Sequence, residues 1–258
     1  MEQSDNDEQQ PKKPTQIPKV VALGINHALC VTKTLAFRQG DTNLNDNQGD
    51  ATKVIDANIH VHSWGKGSFN CLGHGLEEHL TKTPKNIQYF ERKNVAQVSC
   101  GDYHSAVLIL PNGARKGDGG TVFTFGLGTA GRLGYALKGN THHTGELGND
   151  QENEAPWCTA YPQPVGLSVN LKHNVVSLAC GANHTLVTTV DGSLFSWGMG
   201  AFGVLGTGDC ANQFIPVRVK FPMEAFMASC AAGCRHSFGL DDLGRIWSWG
   251  YGGKLLNG

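Results

Sequence analysis

The sequence lacks most of the features that would place it in a common functional class. Its charge is not of one sign: 21 Lys and Arg face 22 Asp and Glu, a net charge of −1 over 258 residues. No global field therefore draws it to nucleic acid or to an anionic membrane, and direct nucleic-acid binding is not expected. Apolar runs such as Ala106-Val107-Leu108-Ile109-Leu110 fall far short of the ~20 residues a membrane-spanning helix needs. Residues 1–19 are polar, with Ile17 their only aliphatic side chain. No export signal is read there, so a cytoplasmic or nuclear protein is expected, not a secreted one. The eight cysteines contain no C-x-x-C pair. Cys230-x-x-x-Cys234 with His236 is half of a metal site without its other half, so reduced, mostly buried thiols are expected and no metal. The motifs G-x-x-x-x-G-K, G-x-S-x-G and H-E-x-x-H are missing. No segment carries a capped 3.6-residue apolar period, which argues against helices.

What the chain has in excess is glycine, with 34 residues, nearly twice the usual ~7%. The excess is organised. A ten-residue phrase runs Trp64-Gly65-Lys66-Gly67-Ser68-Phe69-Asn70-Cys71-Leu72-Gly73. It returns from Phe125 through Gly126, Gly128, Gly131 and Leu133 to Gly134, and from Trp197 through Gly198, Gly200, Gly203 and Leu205 to Gly206. A fourth copy begins at Trp249-Gly250-Tyr251-Gly252 and degrades. A second phrase, Gly-x-x-His followed by a small or hydroxyl residue, alternates with it. Its copies start at Gly24 (His27), Gly101 (His104), Gly181 (His184) and Gly233 (His236). His184 to Trp197 and His236 to Trp249 are both 13 residues, and Trp197 to His236 is 39, so the bare repeat is 52 residues. The other units are this repeat with insertions of 24, 8 and 20 residues.

The undecorated third unit gives the local reading. Val175–Cys180, Thr185–Val190, Ser193–Trp197 and Ile215–Val219 are β-branched or apolar runs separated by turns, and Asp191-Gly192 is a strong hairpin signal. Pro216 fits only near a strand start or edge. Four antiparallel strands per ~50 residues, repeated, describe an all-β chain: a β-propeller of four-stranded blades, about four of them present. The reading divides the chain into a disordered polar tail, 1–17, and a propeller, 18–258. Flexible insertions are expected near 33–59, 114–120 and 135–160. The first two replace the hairpin and emerge at one end of the strands. The third extends the glycine loop and emerges at the opposite end.

Two copies of the glycine phrase literally match G-x-G-x-x-G. A dinucleotide site needs the last glycine to open a helix, whereas Val204-Leu205-Gly206-Thr207-Gly208-Asp209 would not form one. No cofactor is expected. Asn70 replaces the third glycine in the first copy, which points to a backbone role, because asparagine best tolerates positive φ after glycine. The four histidines recur once per unit, so they are read as fold-wide hydrogen-bonding groups. His60 and His62 are read as surface positions. The Asn183-His184-Thr185 sequon lies in a structural turn. No catalytic residue is assigned.

The pairing of Gly-x-x-His-Ser with Trp-Gly-x-Gly-x-x-Gly-x-Leu-Gly resembles the regulator of chromosome condensation repeat family over about residues 18–258, insertions aside. The resemblance implies a propeller, in the family usually of seven blades, against about four in this chain. The family's founding member exchanges nucleotide on a small GTPase and binds nucleosomes. The N-terminal stretch here mixes Glu2, Asp5, Asp7 and Glu8 with Lys12, Lys13 and Lys19, unlike a basic chromatin arm, and no insertion matches an exchange wedge. The expectation is a noncatalytic protein-interaction scaffold, with exchange on a small GTPase as the alternative. The candidate contact is the acidic insertion: Glu146, Asp150, Glu152 and Glu154 without Lys or Arg between Gly139 and Ala160, with Trp157 beside them. A basic protein could dock there.

Overall fold

The computed structural model describes residues 16–37, 54–76, 79–115, 117–135, 157–165 and 174–252. Their strands form four antiparallel sheets, one per repeat. The first blade holds β1 (Gln16–Leu23), β2 (His27–Phe37), β3 (Val54–Lys66) and β4 (Leu80–Asn86). The second holds β5 (Asn94–Cys100), β6 (His104–Leu110), β7 (Thr121–Leu127) and β8 (Cys158–Pro164). The third holds β9 (Val175–Cys180), β10 (His184–Thr189), β11 (Leu194–Gly198) and β12 (Gln213–Arg218). The fourth holds β13 (Met227–Ala232), β14 (His236–Asp241) and β15 (Ile246–Gly250) among the described residues. Neighbours in sequence are neighbours in each sheet. The expected strands of the third unit lie within two residues of these bounds.

The core lies between blades. Leu29, Val31 and Val61 of the first blade pack with Val98, Val107 and Phe125 of the second. Leu108 and Val122 meet Leu178, Val187 and Trp197 of the third. Leu186 and Leu194 meet Met227 and, partly buried, Trp249 of the fourth. Burying a Leu or Phe side chain fully contributes roughly 1.5–3 kcal/mol, so each seam is a small hydrophobic core of its own. Inner strands are also stitched by side chains. Gln97 Nε2 donates to the Leu178 carbonyl at 2.9 Å while its Oε1 accepts the Leu178 N–H at 3.0 Å. Ser99 Oγ accepts the Cys180 N–H at 2.9 Å. First strands of all four blades, with Lys19, Gln97, Ser177 and Ser229 among their residues, line a central cavity of about 610 Å³.

Three expectations need correction. The tail ends earlier than expected, because β1 begins at Gln16. The segment 33–59 is in large part strand: β2 and β3 continue in register from Lys33↔Ile59 to Ala36↔Asp56, and a register shift follows before Phe37↔Val54. The hairpin runs on as paired backbone, and only 38–53 lie outside the described residues. The segment 114–120 is held at both ends. Ala114 N–H donates to Pro111 O at 3.1 Å, and Gly120 exchanges two backbone bonds with Val175 of the third blade, at 2.7 and 3.0 Å. Of the third insertion, 136–156 lie outside the described residues.

Candidate functional site

Antiparallel order brings both repeated phrases to one end of each blade. The Gly-x-x-His turn joins the first two strands, and the glycine phrase follows the third. Lys66, Leu127, Met199 and Tyr251 donate their backbone N–H to the carbonyls of Asn26, Tyr103, Asn183 and Arg235 at 2.8–2.9 Å. The glycine before each donor (Gly65, Gly126, Gly198, Gly250) holds φ between +105° and +112°. A Cβ on Gly198 would stand 2.5 Å from the Asn183 carbonyl oxygen.

The histidines then bind blade to blade. His27 Nε2 lies 2.9 Å from Ser105 Oγ, His104 Nε2 3.0 Å from Thr185 Oγ1, and His184 Nε2 2.9 Å from Ser237 Oγ. Each hydroxyl is the residue after the next blade's histidine. It donates onward to a carbonyl in the glycine phrase of the first blade of the pair: Ser105 to Cys71 at 2.7 Å, Thr185 to Arg132 at 3.4 Å, Ser237 to Val204 at 2.7 Å. A hydroxyl has one proton, so one that donates to a carbonyl must accept from the ring. Nε2 therefore carries hydrogen, and Nδ1 is the bare nitrogen. Trp197 and Trp249 donate Nε1–H to the same Arg132 and Val204 carbonyls at 3.1 and 2.8 Å. Phe125 keeps the ring at this place without the N–H.

Glycines shape the clasp. A Cβ on Gly181 would meet His184 Cε1 at 2.1 Å and the Gly233 carbonyl at 2.5 Å; Gly24 and Gly101 are placed alike against their own histidine and the next blade's glycine. In the phrase, Gly73, Gly134 and Gly206 seat the rings of Phe125, Trp197 and Trp249. The third glycine position is left-handed in all three full copies: Gly131 at +79°, Gly203 at +69°, and Asn70 at +63°. Asparagine stands where positive φ is required, as its chemistry leads one to expect.

The clasp histidines and the buried thiols carry no charge near neutral pH. Burial holds the His27 and His184 imidazoles at pKa values of about 4. Burial, joined by the Arg132 charge and the neighbouring histidines, drives His104 well below its ordinary value. All three rings are neutral near pH 7 and serve as donors. Burial pushes the Cys71, Cys180 and Cys230 thiols up to about 12 and Cys100 well above its ordinary value, so none of these is a ready thiolate. His236 is exposed.

Other singled-out residues fall elsewhere. His60 and His62 are half-buried, their rings 6.1 Å apart, with His62 Nδ1 3.4 Å from Thr32 Oγ1. Trp157 is half-buried: its ring covers Gly128 and lies 6.4 Å from Tyr135. Glu146, Asp150, Glu152 and Glu154 lie outside the described residues. The hydroxyl residues after His104, His184 and His236 are visible in the sequence, but their partners are not, because the bonds span 53 to 81 residues.

Four consecutive antiparallel sheets packed face to face, joined by one recurring clasp, define a repeat protein of the β-propeller class. The family model for the regulator of chromosome condensation (RCC1) repeat matches residues 60–108, 119–188 and 191–240. The chain belongs to the RCC1 repeat family. It is 31% identical over 194 residues to the human E3 ubiquitin-protein ligase HERC2, covering 74% of this chain and 3% of that one. It is 30% identical over 202 residues to the ultraviolet-B receptor UVR8 of Arabidopsis thaliana, covering 78% and 39%. To the RCC2 homolog of Danio rerio it is 29% identical, covering 77% and 40%. The chain thus spans less than half the length of each of these relatives. Among solved structures, human WBSCR16 superposes with a TM-score of 0.60 at 20% identity, covering 95% of this chain and 66% of that one. Prp20p from Saccharomyces cerevisiae, described with its binding to Gsp1p and histones, does so at 0.55 and 20%, covering 88% and 56%. At these identities the likeness concerns the fold.

Proposed function

We propose that this chain is a noncatalytic protein-interaction scaffold. One observation carries the reading: the residues with a catalytic look are committed to holding blades together. Three histidines bind the next blade's hydroxyl, their rings neutral, and the phrase glycines seat backbone and aromatic rings. What differs from repeat to repeat is the connections, where a shared fold acquires its particular function. The acidic stretch Glu146–Glu154 offers a basic protein its contact, while Trp157, whose ring packs over Gly128, is committed to the chain itself. Deleting 139–156 is expected to release such a partner, and retention of every captured partner would remove that contact from the proposal.

The second reading is nucleotide exchange on a small GTPase, by analogy with the family's founding member. Timed release of labelled nucleotide from a panel of small GTPases separates the two. No acceleration is expected, and acceleration of any one of them would overturn the scaffold reading.

A further inference from the structure

Away from the clasped end, the connection between the first and second blades builds a pocket of about 530 Å³. Its walls are Tyr89, Ile109, Phe123 and Pro164, and Arg92 and Lys93 stand among its lining residues. The size is that of a ligand pocket. Tyr89 and Phe123 form an aromatic corner, ring centroids 5.6 Å apart, backed by Phe90. Tyr89 remains 38% exposed, so the corner is open on one side.

The charge is one-sided. None of the lining residues is acidic. Glu91, the nearest carboxylate in sequence, accepts from Asn86 Nδ2 at 2.7 Å. Lys93 Nζ rests over the Tyr89 ring, 4.4 Å from its centroid. Arg92 is exposed and its backbone is left-handed, with φ +59°. Among the described residues, the other non-glycine residues with positive φ all lie in the glycine phrase, where the repeat demands it; Arg92 does not. Glycine or asparagine would hold this conformation with less strain, so arginine here sets a side chain in place against a local cost.

We propose that this pocket binds a short acidic peptide segment of a partner protein, its aromatic side chain filling the Tyr89–Phe123 corner and its flanking carboxylates meeting Arg92 and Lys93. The inference rests on the scaffold reading and gives it a second surface. An aromatic anchor seated in a pocket and ringed by complementary charge is the arrangement that concentrates binding energy at interfaces.

The test is a ¹⁵N-HSQC titration of the full chain with acetyl-Glu-Phe-Glu-amide, acetyl-Lys-Phe-Lys-amide and acetyl-Glu-Ala-Glu-amide. The first peptide should give saturable shifts at the amides of Arg92, Lys93, Thr121 and Phe123. The other two should bind about tenfold more weakly or not at all. Arg92→Gly removes the charge and relieves the backbone, so it should keep or raise the melting temperature while weakening the first peptide severalfold. Equal binding of the three peptides, shifts confined to other surfaces, no saturation, or an Arg92→Gly chain that binds as the parent does would each overturn the proposal. Such a failure leaves the scaffold reading standing. Accelerated nucleotide release would sink that reading without altering these shifts.

Discussion

Strands β10 and β14 occupy the same place in adjacent blades, and both follow Gly-x-x with a histidine and a hydroxyl residue. All six residues of β10 are buried. In β14 only Ser237, Gly239 and Asp241 are buried, alternating with exposed His236, Phe238 and Leu240. The third blade packs on both faces, against the second and the fourth, so its central strand reads as a continuous buried run. The fourth packs on one face among the described residues, and period-two alternation returns. His184 makes the clasp and is 1% exposed; His236 has the same motif and lies open. Burial and hydrogen bonding here belong to the seam between repeats, and a single repeat cannot specify them.

The comparison can be broken hardest at the first glycine of the histidine turn. Gly181→Ala drives a Cβ into a pinned ring and into the Gly233 carbonyl, and should cost about 3 kcal/mol. Gly233→Ala meets only the exposed His236 ring, which can swing aside, and should cost about 1 kcal/mol or less. Urea denaturation of both variants checks the ranking, and equal costs would contradict the seam argument.

Acid comes next. Lowered folded-state values mean that the unfolded chain binds protons first as pH falls. Stability contributed by neutral His27 and His184 is complete above about pH 6.5 and is lost as pH falls toward about 4. For a shift of this size the loss is about 3 kcal/mol per histidine. Melting temperature measured from pH 7 to 4 should fall steeply, and His184→Gln should flatten part of that fall. His236→Gln at pH 7 should leave melting unchanged.

Smaller effects separate strain from crowding in the glycine phrase. Gly203 and Gly206 share φ near +69°, but a Cβ on Gly203 meets open space whereas one on Gly206 meets Trp249 Nε1 at 2.8 Å. Gly203→Val should cost ~1–2 kcal/mol of backbone strain, and Gly206→Val ~1–3 kcal/mol more from overpacking. Calorimetric melts of the pair would show whether the second term exists. Similar in size to Gly203→Val is Ser237→Ala, which leaves His184 Nε2 and the Val204 carbonyl each short of a partner but keeps the Trp249 bond to that carbonyl. About 1–2 kcal/mol is expected, read from urea midpoints.

Repetition made the fold legible. Four copies of the histidine phrase and three full copies of the glycine phrase made plain the strand order, the turns and the backbone role of Asn70. Features present once were harder to see. The segment 33–59 reads as a polar insertion because Asn and Asp crowd its middle, and that composition hides the strand pairing on either side. Arg92 carries no sequence signal of left-handed backbone, since that signal is normally glycine or asparagine. The partners of the histidines were invisible for another reason: the hydroxyl that completes each clasp lies in the following repeat, and a repeat compared with itself shows only what it holds internally.

The shared carbonyls of Cys71, Arg132 and Val204 have a kinetic consequence. Among the described residues each accepts side-chain bonds from the following blade, so losing one blade uncaps the phrase of the blade before it and leaves that blade's histidine bare. Opening should therefore travel from the fourth blade back toward the first. Amide protection against hydrogen exchange should rise in the same order, weakest in β14, stronger in β10 and stronger again in β6.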